Sequence, residues 1–176
     1  MVLASIRKIS GKKKLKTLDI KTASPVPFSK IKTIGILYYI DSPEEEKNIA
    51  KILKHEFLAD KEVEILCWLK SSKKKPHPAV DKVTFVERVD FDTKFLPSSK
   101  KSRYFCDKEF DLLLDLTPDY HFPMHAAAVM SNAKLKTGVY DKHNWHLQVK
   151  IKLSEAKKHQ PVYLMDQVAE YLEKLF

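Results

Sequence analysis

The sequence predicts an α/β protein built on a single, mainly parallel sheet. Short apolar runs of strand length alternate along the chain with amphipathic helical segments. The first strand, helix and second strand follow one another in the order of a parallel crossover. With 176 residues, the chain is long enough to bury a core without disulfides or a structural metal. We therefore expect a Rossmann-like open sheet with helices on both faces, and we allow for an antiparallel strand at one edge.

Residues 1–28 form a predicted basic N-terminal arm, and residues 29–176 form the domain. The arm carries apolar residues at roughly helical spacing: Leu3, Ile6 and Ile9. A lysine cluster follows: Lys12, Lys13 and Lys14. Two interpretations are open, a solvated arm whose apolar residues pack on the domain, or an anchor for an anionic surface. Pro25 and Pro27 mark the break before the domain.

The first half of the domain predicts a strand, a helix and two further strands. Ile34–Ile40 is a buried strand by composition, and Val63–Leu69 and Val83–Val86 are the next two. The intervening helix has a strong start, because Ser42 fits its N-cap and Glu45 completes a capping box. Its apolar stripe predicts that it continues through Phe57. A loop with a second lysine cluster, Lys73, Lys74 and Lys75, precedes the third strand.

The sequence of the second half predicts three helices and three further strands. A short helix from Ser99 to Lys108 leads into Phe110–Leu116, an apolar run that suits a strand covered on both faces. Pro123 begins the next helix, and the segment KLKTGVY follows as a strand. Strict alternation over Leu147–Leu153 predicts a half-exposed edge strand. The last helix follows Pro161 and has one predicted apolar stripe: Met165, Val168, Leu172 and Leu175.

Charge and cysteine content restrict the classes of partner and compartment. The net charge is +9, which favours contact with nucleic acid or an anionic surface through the two lysine clusters. The two cysteines, Cys67 and Cys106, are no framework for a secreted fold, so we expect reduced thiols. No apolar run is long enough to span a membrane, and the N-terminus has no secretory signal pattern. We therefore expect a cytoplasmic protein.

The predicted ligand site lies at the carboxyl ends of two strands. In an open parallel sheet, ligands bind where the strand order reverses. The order 3-2-1-4-5 would place the end of the first strand beside the end of Phe110–Leu116. The resulting crevice would be lined by Asp41, Ser42, Asp115, Thr117, Asp119 and His121. The structural alternative is that Ser42, and Thr117 or Asp119, only cap their helices.

Motifs for cofactors, metals and nucleophilic catalysis are weak. Neither crevice loop contains glycine, so the familiar pyrophosphate-binding loops are excluded. His121 and His125 have the spacing of a metal pair, but Pro123 leaves His121 outside the helix and no third ligand is fixed. We therefore predict neither a cofactor nor a metal. The aromatic residues Tyr38, Tyr39 and Trp68 are interpreted as core.

Five segments carry a resemblance to a known family: IGILYYID, then LLLDLT, FPMHAAAVMSNA and KLKTGVYD in succession, and the C-terminal helix. In these segments the chain resembles an uncharacterised family of small bacterial proteins known mainly from the Bacteroidetes. That resemblance implies a Rossmann-like α/β domain with no assigned activity. Over about thirty residues, the succession from LLLDLT to KLKTGVYD is also similar to the acceptor domain of heptosyltransferase-type glycosyltransferases. This similarity implies a ligand-binding crevice inherited from such enzymes.

These observations favour a noncatalytic binding or interaction protein. One alternative is an enzyme, or a degenerate glycosyltransferase-like domain, that binds a nucleotide or sugar nucleotide in the crevice. The other is an RNA- or ribosome-associated module that uses the lysine clusters.

Overall fold

The computed structural model describes residues 2–18, 26–70 and 80–175. The predicted lysine cluster at Lys73, Lys74 and Lys75, and the proline at Pro25, lie outside the described residues. The strands are β1 (Thr33–Ile40), β2 (Glu62–Leu69), β3 (Val83–Val86), β4 (Leu112–Asp115), β5 (Leu135–Val139) and β6 (Val149–Ile151). The α-helices are α1 (Val2–Lys16), α2 (Pro43–Leu53), α3 (Lys100–Asp107), α4 (Phe122–Met130), α5 (Glu155–Lys158) and α6 (Pro161–Leu175).

The six strands form one open sheet in the order β3-β2-β1-β4-β5-β6, and this α/β sheet confirms the predicted fold class. The order reverses between β1 and β4, so the two strands expected to flank the crevice are neighbours. Every pairing is parallel, which corrects the expectation of an antiparallel strand at an edge.

Residues 140–148 connect β5 to β6 and are named the return loop. A parallel crossover commonly needs a dozen or more residues. The shorter return loop suffices because β6 has three residues and pairs only with Thr137, Gly138 and Val139. The loop turns back over the sheet and buries Asn144, His146 and Leu147.

Helices cover both faces of the sheet, as predicted. One apolar core lies under α2 and α6, and it takes Ile34 and Ile36 of β1. A second core lies under α3 and α4, and it takes Leu37 of the same strand. Gly35 also faces this second side, where an added Cβ would lie 2.7 Å from the ring of Phe110. Successive side chains of β1 therefore pack alternately into the cores on the two faces of the sheet, as expected for a central parallel strand.

Asp111 fixes the junction between β1 and β4. Its carboxylate accepts hydrogen bonds from the backbone N–H groups of Lys32 (3.0 Å) and Thr33 (3.1 Å) and pairs with Lys134 at 2.8 Å. Burial pulls the pKa of Asp111 upward, but the Lys134 ion pair and these N–H donors hold it at about 2. The predicted strand Phe110–Leu116 is shortened to β4, which begins directly after Asp111 and ends at Asp115.

The predicted capping box at the start of α2 is present. The Ser42 hydroxyl accepts from the Glu45 N–H at 3.3 Å, and the Glu45 carboxylate accepts from the N–H of Ser42. The helix is shorter than predicted and ends at Leu53. His55 then adopts an extended backbone, its ring accepts from the N–H of Phe57, and Nε2 lies 2.9 Å from Asp166 of α6. These contacts stop the helix, and Phe57 is buried from a separate 3₁₀ turn.

The terminal helices depart from the predicted apolar stripes. In α1, the residues expected to pack on the domain are exposed: Leu3 (68 %), Ile6 (56 %) and Ile9 (54 %). The helix packs through Gly11 and Leu15 instead, and Leu15 enters a small core with Phe122. In α6, Met165, Val168 and Leu172 are buried as predicted, whereas Leu175 in the last turn extends beyond the sheet and is exposed.

Candidate functional site

A crevice lies at the carboxyl ends of β1 and β4, where the strand order reverses. Its volume is about 330 Å³. Three of the six predicted residues line it: Asp41, Asp119 and His121. Tyr39 and Glu45 add to the wall from β1 and α2, and His159 closes the side beside α5. The topology therefore brings together the two loops that the sequence predicted to meet.

The β1 side of the crevice is held by hydrogen bonds to backbone. The Glu45 carboxylate accepts from the N–H of Asp41 at 2.6 Å, in addition to its capping contact. The Asp41 carboxylate pairs with Lys70 at 3.2 Å. Ser42 is engaged in the capping box and does not line the crevice. The acidic groups on this side are therefore neutralised or held within the protein.

The opposite side is built around Asp119. Its carboxylate pairs with Lys158 of α5 at 2.7 Å, and His159 Nε2 lies 3.8 Å away. Lys158 also pairs with Glu155, and the hydrogen bond to Asp119 raises its pKa. The N-cap of α4 is His121, which makes no side-chain capping bond, so neither Thr117 nor Asp119 caps this helix. The capping interpretation was therefore wrong for these two residues.

His121 lines the crevice and packs against two aromatic rings, of which Tyr39 also lines the crevice and Trp68 is buried behind it. Its ring lies 4.7 Å from that of Tyr39 and 4.6 Å from that of Trp68. Nδ1 is buried without a hydrogen-bond partner among the described residues. Burial lowers the pKa of His121 to about 4, so the imidazole is neutral at pH 7. Tyr39 and His121 therefore give the crevice an uncharged aromatic surface, named the aromatic floor.

Asp115 and Thr117 lie beneath the crevice and do not line it. Both are buried, and the Thr117 N–H donates to the Asp115 carboxylate at 3.0 Å. Burial raises the pKa of Asp115 to about 6. Their hydrogen bond lies in the segment between β4 and α4, whose later residues Asp119 and His121 line the crevice.

The two histidines at metal-pair spacing, His121 and His125, contact different neighbours. His121 contacts Tyr39 and Trp68, whereas His125 contacts Tyr120 at 5.2 Å and His146 at 4.7 Å. Across residues 2–18, 26–70 and 80–175, no three His, Cys, Asp or Glu side chains converge in a geometry that could hold a metal ion. None of the helices described is long and apolar enough to cross a membrane.

Sequence reasoning missed several residues of the site and its surroundings. Tyr39 was interpreted as core, but it lines the crevice, while Tyr38 and Trp68 are buried as expected. Alternation along β1 could have identified it, since Tyr39 lies on the face opposite to Tyr38. Lys136 is almost fully buried in β5, and its Nζ donates to the Val129 carbonyl of α4 at 3.1 Å. Burial lowers the pKa of Lys136 to about 8.

In the comparison with protein families, residues 6–175 match a family of unknown function (DUF6913). Comparisons with curated proteins and with solved structures gave no match. The matched region includes most of α1 and extends to the end of α6, so it covers the sheet and both loops of the crevice. The chain therefore belongs to this family of unknown function, DUF6913.

Proposed function

We propose that the protein is a noncatalytic binding protein that takes a neutral small ligand with a sugar or aromatic ring into the crevice. The observation that carries the proposal is the aromatic floor between two neutralised carboxylates. Tyr39 and His121 offer ring faces, and Asp41 and Asp119 already hold lysine partners. A ligand that stacks on the rings and hydrogen-bonds to the carboxylate oxygens would fit this arrangement.

The state of the polar groups favours binding over catalysis. The Glu45 carboxylate is committed to backbone N–H groups, and those of Asp41 and Asp119 are committed to ion pairs. General acid–base catalysis works best with a group whose pKa is near the working pH. The pKa of His121 is about 4, and Asp115, whose pKa is about 6, lies beneath the crevice wall.

Isothermal titration calorimetry with D-glucose, adenosine and uridine diphosphate glucose tests the proposal. The third probe covers the sugar-nucleotide alternative. At least one of the two neutral probes, D-glucose or adenosine, should bind, and Tyr39→Ala should weaken its binding by about tenfold, since a stacked ring contributes roughly 1–1.5 kcal/mol. Tyr104→Ala is the matched control, because this exposed tyrosine lies in α3, outside the crevice.

Two results would contradict the proposal. One is no heat signal with either neutral probe at millimolar concentration. The other is equal binding by the wild type and the Tyr39→Ala variant, which would place the ligand elsewhere. Turnover of the sugar nucleotide would instead support the enzyme alternative.

A second candidate function, association with nucleic acid, is supported by the basic surface of α1. Lys13 and Lys14 are exposed on this helix. Electrostatic binding to a single-stranded RNA should weaken steeply as salt rises, and replacing both lysines with glutamine should reduce the salt slope. Retention that does not depend on salt would exclude this role.

A further inference from the structure

A second cavity lies between α1, α4 and the return loop, and it differs in character from the crevice. This basic pocket has a volume of about 200 Å³. Its charged wall consists of Lys12 and Lys16 from α1 and Lys142 from the return loop. His125 and Tyr120 form the inner wall. These side chains come from three separate parts of the chain, so the pocket exists only in the folded protein.

The three lysines of the basic pocket are unbalanced. Lysines around the crevice and at the β1 and β4 junction are paired, for example Lys70, Lys134 and Lys158. No carboxylate within the described ranges makes an ion pair with Lys12, Lys16 or Lys142. The neighbouring carboxylate, Asp141, hydrogen-bonds with the ring and the backbone N–H of His143 and attracts Lys142 without forming an ion pair with it. Lys12 Nζ lies 5.1 Å from the ring centroid of Tyr120, a contact that leaves its charge uncompensated by an anion. Like charges converging on one cavity repel one another, and an anion in the cavity would relieve this repulsion.

His125 supplies an independent indication of a ligand. The residue is 6 % exposed and lies in the pocket wall, and its Nδ1 has no hydrogen-bond partner among the described residues. A buried polar atom without a partner costs roughly 1–3 kcal/mol. The ring cannot easily turn away, because Tyr120 and His146 pack against it. Burial lowers the pKa of His125 to about 4, against a side-chain hydrogen bond with Asn144 that raises it, so the imidazole is neutral. Asn144 thereby engages the ring, and Nδ1 is the nitrogen left for a ligand.

We propose that the basic pocket binds a phosphate group of a small ligand. Lys12, Lys16 and Lys142 supply the charge, and His125 donates a hydrogen bond from Nδ1 to a phosphate oxygen. Three cations match the dianionic charge of a phosphate monoester better than the single charge of a carboxylate. Trp145 also lines the pocket and is 42 % exposed, so its ring offers a face to the group that carries the phosphate. This site goes beyond the crevice, with which it shares only Tyr120.

Titration calorimetry with inorganic phosphate, adenosine 5′-monophosphate and adenosine tests the proposal on the full chain. Phosphate and the nucleotide should bind, and adenosine should not compete with phosphate. The variant with Lys12→Gln, Lys16→Gln and Lys142→Gln should lose about tenfold or more in affinity for phosphate. Lys13→Gln combined with Lys14→Gln is the control, since these exposed lysines lie on the same helix but do not line the pocket.

The imidazole gives a second readout that does not depend on the lysines. In the wild type, inorganic phosphate should shift the ¹⁵N resonance of His125 Nδ1 in NMR spectra, because a new hydrogen bond forms there. Equal loss of affinity in the pocket variant and the control variant would overturn the proposal, because it would indicate diffuse attraction. An unchanged His125 resonance at saturating phosphate would also overturn it. Tyr39→Ala should leave phosphate binding intact, which separates this site from the function proposed for the crevice.

Discussion

At the scale of single residues, the structure places several ionisable groups between the sheet and α4. Lys136 and Asp115 lie on neighbouring strands, and His125 and His146 pack ring against ring above them. Burial is the largest influence on the pKa of each, and it disfavours the charged form. These residues were difficult to find from sequence. Lys136 has the pattern of an exposed strand lysine, and its burial depends on α4, which covers it only in the fold.

Asp115 should destabilise the folded protein at neutral pH. Its pKa is about 6 in the fold against an ordinary value of 3.8, so its contribution makes stability fall as pH rises from about 4 to about 6. Asp115→Asn should therefore raise the free energy of unfolding at pH 7.5 by about 1–3 kcal/mol and leave it unchanged near pH 4. Urea unfolding at both pH values measures this difference.

Asp111→Asn is the matched control and should have the opposite sign. The pKa of Asp111 is held at about 2, so its ionised form is favoured by the fold and its neutral replacement loses the Lys134 pair. Destabilisation by Asp115→Asn at pH 7.5 would show that its carboxylate is stabilised by the Thr117 N–H more than it is penalised by burial.

At the scale of secondary-structure elements, local signals were predicted well and distant contacts were not. The start of α2 could be predicted because the capping box uses residues three positions apart. Its end could not, because the contact between His55 and Asp166 spans 111 positions. Alternation identified which residues of β6 face the core, but it contains no information on strand direction. The parallel course of β6 follows from the return loop, whose burial of His146 and Leu147 depends on the folded sheet.

The Ser42 capping box should make a measurable contribution to stability. Ser42→Ala removes the acceptor for the Glu45 N–H and should lower the free energy of unfolding by about 1 kcal/mol. Ser154→Ala provides the control, because Ser154 is the N-cap of α5 but makes no side-chain capping bond. Equal effects of the two substitutions in urea unfolding would show that the capping box contributes nothing specific.

At the scale of the whole molecule, α1 belongs to the packed body through a small contact. An added Cβ at Gly11 would collide with the backbone carbonyl of Lys94 and would lie 3.1 Å from the ring of Phe122. Leu15 is 1 % exposed beside the same ring. The close approach at Gly11 and the buried Leu15 therefore hold the helix to the domain, although Leu3, Ile6 and Ile9 are exposed.

Gly11→Val should release α1 from the domain. The larger side chain cannot fit against the Lys94 carbonyl, so the helix should become sensitive to limited proteolysis and the thermal unfolding temperature should fall. Leu3→Ala is the control, since Leu3 is 68 % exposed and should change neither measurement. Because Lys12 and Lys16 belong to the same helix, undocking should also remove phosphate binding at the basic pocket. Protection of α1 from protease in the valine variant would contradict this account.

The reversal of strand order between β1 and β4 divides the sheet into two parts that are each continuous in the chain. β1, β2 and β3 come from residues 33–86, and β4, β5 and β6 come from residues 112–151. During synthesis, the first part can pair while one edge of β1 still awaits β4, which is made more than seventy residues later. The crevice lies across this late pairing. Ligand binding in the crevice would therefore show that the β1–β3 part and the β4–β6 part of the sheet have paired. A nascent chain would bind such a ligand only after β4 has been made.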